Sequence, residues 1–96
     1  MRTTFIVSYD IADPKRLRKV VEPCKDFGEH IQFSVFECDL NPAEKIEFER
    51  QLAQIIHHAQ DQVLFIDIGP SEGRGDRVIS SLGIPYFKFD SPCYVV

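Results

Sequence analysis

Asp10 and Asp13 are the first residues in this chain whose types and spacing suit chemistry. Two carboxylates three residues apart form a hard-oxygen set of the kind Mg²⁺ takes. Asp13 has a competing role, because Asp13-Pro14 reads as a helix cap followed by proline at the first helical position. Asp10 has no such alternative. Tyr9 beside it is a candidate proton-transfer group, although a phenol that titrates near ~10 is a poor base at neutral pH. Lys15, Arg16, Arg18 and Lys19 follow as a basic run, suited to phosphate contacts and equally to a solvated helix face. His57-His58 are adjacent with no His four residues on, so they lack the spacing of a helical metal site. His30 belongs to no motif. The loop Gly69–Gly75 is Gly-rich but lacks the Lys-Ser/Thr of a phosphate-binding loop. Cys24 and Cys38 read as buried thiols with no His set beside them to activate a nucleophile.

The elements that position these groups are legible from periodicity. Thr3–Asp10 is β-branched and aromatic and reads as a buried strand ending at an acid. Leu17, Val20, Val21, Cys24 and Phe27 recur at helical spacing, with Lys15, Arg16, Arg18, Lys19 and Lys25 mostly off that face. Gly28 is a plausible stop. Ile31–Cys38 reads as the next strand, with Ile31, Phe33 and Val35 on one face and Phe36 anomalous among the polar set. Asn41-Pro42-Ala43-Glu44 opens a second helix with a capping-box pattern, and Phe48, Leu52, Ile55, Ile56 and Ala59 form its stripe, with His57-His58 on the same helix. Val63–Ile68 is a third strand. Val78–Leu82 reads as a short helical turn, and Ile84–Asp90 as a late edge strand. Strand-helix alternation of this kind puts two helices on one face of a small antiparallel sheet. An α+β, ferredoxin-like sandwich fits, as one domain over residues 1–96. Residues 29–40 must bend into a strand pair, or the C-terminal segment must supply the remaining strand.

Composition bounds the reading. Hydrophobic residues make up 44% of 96 and charged residues 27%, ordinary for a globular domain. No apolar run nears the ~20 residues of a membrane helix, and the N-terminus enters a strand directly. Three cysteines without a CxxC pair fit a reducing, cytoplasmic setting. The net charge is −4, yet its distribution is uneven. Residues 1–25 hold six basic and three acidic residues, whereas residues 26–96 hold five basic and twelve acidic.

Three blocks within residues 5–40 carry a family likeness: Phe5-Ile6-Val7-Ser8-Tyr9-Asp10-Ile11, Lys15-Arg16-Leu17-Arg18-Lys19-Val20, and Gly28-Glu29-His30-Ile31-Gln32-Phe33-Ser34-Val35-Phe36-Glu37-Cys38. Together they resemble the small CRISPR-associated adaptation proteins, the "Cas two" family of endoribonuclease-like subunits. The resemblance implies a homodimer in which Asp10 of each copy approaches its mate and the pair holds one Mg²⁺. It implies that Tyr9, Arg16, Arg18, Ser34 and Phe36 surround this cleft, and that an apolar C-terminal strand pairs with the dimer partner. It departs at His30, where many relatives carry Arg, so a phosphate contact there would depend on pH. Two roles are implied. One is Mg²⁺-dependent cleavage of single-stranded RNA or DNA by Asp10 with Tyr9. The other is a bridge between copies of the CRISPR integrase subunit, with Lys15, Arg16, Arg18 and Lys19 on the backbone of duplex DNA. A third reading is a ferredoxin-like small-ligand sensor or dimerisation module unrelated to CRISPR.

Overall fold

Strand β1 (Thr3–Asp10) lies between β3 (Val35–Leu40) and β4 (Gln62–Pro70), and β2 (Gly28–Gln32) pairs with the outer side of β3. The computed structural model describes residues 1–73 and 79–85. All pairings are antiparallel, in the order β2-β3-β1-β4. This is the expected ferredoxin-like α+β arrangement. Helices α1 (Pro14–Phe27) and α2 (Pro42–Ile55) bury Val20, Val21, Cys24, Phe48 and Leu52 with Phe5, Val7 and Tyr9 of β1. Successive strand residues face opposite sides, so Ile6, Ser8 and Asp10 belong to the other face of the sheet.

Local chemistry sets the helix ends. The Asp13 carboxylate accepts from the Arg16 N–H at 3.0 Å, with Pro14 at the start of α1. Asn41 and Glu44 exchange reciprocal hydrogen bonds of 2.7 and 2.9 Å at the start of α2. Gly28 ends α1 and begins β2 in extended conformation. Its requirement is close approach: a Cβ there would lie 2.7 Å from the Glu37 carbonyl oxygen and closer still to Cys38 Sγ.

Several expectations change. Ile31–Cys38 is not one strand but the end of β2, a turn at Phe33-Ser34 and the start of β3. Residues 29–40 therefore supply the strand pair by bending. The turn and the register shift between His30 and Gln32 reset the alternation, so Phe36 is fully buried against the helices and Phe33 is 66% exposed. Helix α2 ends at Ile55, which leaves His57, His58 and Ala59 beyond the helix and exposed. Ile79–Leu82 forms no helical turn, and Ile84-Pro85 is not a strand. The remainder of that late strand and the apolar tail with Cys93 lie outside the described residues.

Candidate nucleic-acid site

Asp10 is exposed at the end of β1, held between two neighbours by register. On one side it pairs with Gln62 of β4. On the other, the β1–β3 ladder runs to Ser8 opposite Val35, and the Tyr9 N–H donates to the Ser34 carbonyl at 3.1 Å. The ladder ends there, and Phe33-Ser34 form the turn that leads back into β2.

Tyr9 builds this edge from beneath. Its side chain is buried, and its hydroxyl donates to the Phe33 carbonyl at 2.8 Å. Burial, reinforced by the Cys24 sulfur, pushes the phenol well above its ordinary range. The buried hydroxyl is engaged in holding the turn. His30 Nε2 lies 3.2 Å from the same carbonyl, and its ring stacks on Phe36 with centroids 4.4 Å apart. His30 and Phe36 therefore support the turn from within the core, and neither lines an open cleft. Ser34 contributes its backbone carbonyl to β1.

The basic run divides. Arg16 forms a two-pronged ion pair with Asp61, Nε to Oδ2 at 2.7 Å and Nη2 to Oδ1 at 3.1 Å, and also donates to Gln60 at 3.1 Å. The Asp61 side chain is fully buried in this pair. It also accepts from the backbone N–H groups of Ala12 and His57. The Arg16 guanidinium first, then those N–H groups, hold its carboxyl well below the usual carboxylate range against the opposing effect of desolvation. Most of Arg16's hydrogen-bonding capacity is thus spent inside the molecule. Lys15, Arg18 and Lys19 remain exposed, and with Glu22 they line a shallow surface depression of about 450 Å³.

Asp61 is the residue that sequence reasoning missed. It joins the β1–α1 connection, the first turn of α1 and the entrance to β4, and nothing in the flanking Gln60 and Gln62 marks it. Among the described residues there is no group of three or more His, Cys, Asp or Glu side chains able to hold a metal ion. Of the carboxylates described at this edge, Asp13 is engaged as a cap and Asp61 as a clamp, which leaves Asp10 to meet a ligand. That donor type fits Mg²⁺, while a two-carboxylate set needs a second copy.

The fold and this edge define a class: an α+β sandwich presenting a carboxylate at a central strand end beside a basic helix. The family model described as CRISPR associated protein Cas2 matches residues 1–73. The chain is 42% identical over 92 residues to a CRISPR-associated endoribonuclease Cas2 of Rhodospirillum rubrum, covering 96% of this chain and 89% of that protein. It is 40% identical over 83 residues to another of that name from Geobacter sulfurreducens, covering 86% of each. A crystal structure of Streptococcus pyogenes Cas2 superposes with a TM-score of 0.67 at 35% identity, covering 80% of this chain and 99% of that one. The chain belongs to the CRISPR-associated Cas2 family. That assignment sets aside the sensor reading unrelated to CRISPR. No helix among the described residues is long and apolar enough to cross a membrane.

Proposed function

We propose that this chain is a dimeric nucleic-acid-binding subunit of CRISPR adaptation, bridging copies of the integrase subunit, with Mg²⁺-dependent phosphodiester cleavage at a site shared between two copies. The observation that carries the reading is the shared face of Asp10 and an apolar row. Leu64, Ile66 and Ile68 of β4 are 46%, 46% and 40% exposed, and Ile66 pairs with the half-buried Ile6 of β1. An apolar sheet face of this kind is a surface for burial. Self-pairing about a two-fold axis would bury the row and supply the second Asp10.

Mg²⁺ bound between the two Asp10 carboxylates would polarise a phosphate and lower the pKa of a bound water. The chain's own contribution is placement: Tyr9 fixes the turn beside Asp10, and the Arg16–Asp61 pair fixes the loop after it. Lys15, Arg18 and Lys19 would meet the backbone of duplex DNA without reading sequence, so binding would weaken steeply with salt. Names of relatives support endoribonuclease chemistry, and the exposed basic face supports a backbone-binding role.

The test pairs cleavage with oligomeric state. Wild type and Asp10→Ala are assayed on labelled single-stranded RNA and duplex DNA with Mg²⁺, alongside light scattering. The expected result is a dimer for both proteins and cleavage by wild type alone. Equal cleavage by both, or a monomer at micromolar concentration, would remove the shared site.

A further inference from the structure

The turn whose carbonyl the Tyr9 hydroxyl holds, one residue before Asp10 in the chain, carries an exposed aromatic ring, Phe33. We infer that Phe33 is a stacking platform for an unpaired base, holding single-stranded nucleic acid so that its backbone passes Asp10. The inference deepens the nucleic-acid reading above and rests on it.

Three observations converge. A two-residue connection between strands ordinarily takes Gly, Asn, Asp or Ser, because these satisfy turn geometry at little cost. Here a Phe occupies the first turn position and is 66% exposed, while Phe36, three residues on, is fully buried. The backbone beneath it is over-determined. The Phe33 carbonyl receives the Tyr9 hydroxyl at 2.8 Å and lies 3.2 Å from His30 Nε2, and the Ser34 carbonyl accepts from the Tyr9 N–H. A ring carried on a pinned backbone loses little freedom when a ligand covers it. Finally, Tyr9, whose hydroxyl anchors the Phe33 carbonyl, immediately precedes Asp10 in the chain.

The chemistry selects the ligand class. A base offers a π-face to a ring only when it is unstacked from its neighbours, so the platform favours single strands over duplexes. Every base presents such a face, so the preference is for strandedness and not for sequence. RNA and DNA single strands share this chemistry, and the experiment separates them.

The chain contains no tryptophan, so Phe33→Trp introduces a single fluorophore at the site. The measurements use the full chain in EDTA, which uncouples them from cleavage and from Asp10. Labelled oligoribonucleotide, oligodeoxynucleotide and duplex DNA are titrated against wild type, Phe33→Trp, Phe33→Tyr and Phe33→Ala. The Trp variant should be quenched by one or both single strands and little by the duplex. Phe33→Ala should weaken single-strand binding by about 5- to 100-fold, the range for loss of one base–aromatic stack. It should leave duplex binding within about two-fold, and Phe33→Tyr should retain the affinity. Unchanged single-strand affinity in Phe33→Ala, or quenching as strong with duplex, overturns the platform. A shift of Phe33→Ala to monomer by light scattering with single-strand affinity intact also overturns it, because the ring then serves a protein interface. A wild type that binds but does not cleave would count against the proposed catalysis and leave the platform standing.

Discussion

An arginine pairs with carboxylate chemistry near each end of β1, Arg2 with Asp39 and Glu44 and Arg16 of α1 with Asp61, and the two ends behave differently. At the N-terminal end, Arg2 bonds Asp39 at 3.0 Å and Glu44 at 2.9 Å, and Ser71 donates to Asp39 at 2.8 Å. The Arg2 and Asp39 side chains are 46% and 55% exposed. At the C-terminal end, Arg16 is largely covered and its partner Asp61 has no exposed side-chain surface. Water and salt screen the first network, whereas the second is shielded and also satisfies two backbone N–H groups. The same pairing chemistry thus decorates the surface at one end and sets loop geometry at the other, two residues beyond Asp10.

The sharpest way to break this comparison is to remove each carboxylate. Asp61→Ala leaves Arg16 and the N–H groups of Ala12 and His57 without their acceptor, and should cause the largest fall in Tm of any change considered. Asp39→Ala should cost only about 0–1 kcal/mol by thermal unfolding, the range of exposed ion pairs. Equal losses would show that burial does not distinguish the two ends.

Acid should separate them next. The folded-state pKa of Asp61 is depressed, so its contribution is present above the unfolded carboxylate pKa and is lost as pH falls through the folded value. Tm should hold above about pH 5 and fall below about pH 4, with a shallower fall in Asp61→Asn. Glu47, held down at about 2 by the Arg50 guanidinium and then by Gln51, acts in the same direction. That pair is exposed on α2, so salt at ~0.5 M should reduce its share and leave the Asp61 share.

A smaller effect sharpens the Asp10 end itself. Tyr9→Phe removes the donor to the Phe33 carbonyl while keeping the ring, and should lower stability by about 1 kcal/mol in urea unfolding. If the hydroxyl positions the turn, the variant should also lose single-strand affinity in EDTA. Retained affinity with lowered stability would confine Tyr9 to a structural role.

Much of the architecture was legible because its signals are local. The β-branched run of β1, the Asp13-Pro14 and Asn41-Glu44 caps and the apolar stripe of α1 depend on neighbours within a few residues. Phe36 was misread because alternation was carried through Phe33-Ser34, where the turn and a register shift reset it. The α2 stripe was extended past Ile55 because Ala59 keeps helical spacing after the backbone has left the helix. Arg16 and Arg18 are alike in sequence, and only one meets a buried carboxylate.

By itself the sequence determined the two caps, the central strand ending at Asp10, the basic face of α1 and the family likeness of residues 5–40. Tertiary structure alone decided that Asp61 takes Arg16 and that the Tyr9 hydroxyl holds the Phe33 carbonyl. The reason is range: caps and amphipathic faces act within one or two helical turns, whereas Arg16–Asp61 and Tyr9–Phe33 join residues 45 and 24 positions apart, brought together only by how the strands pair.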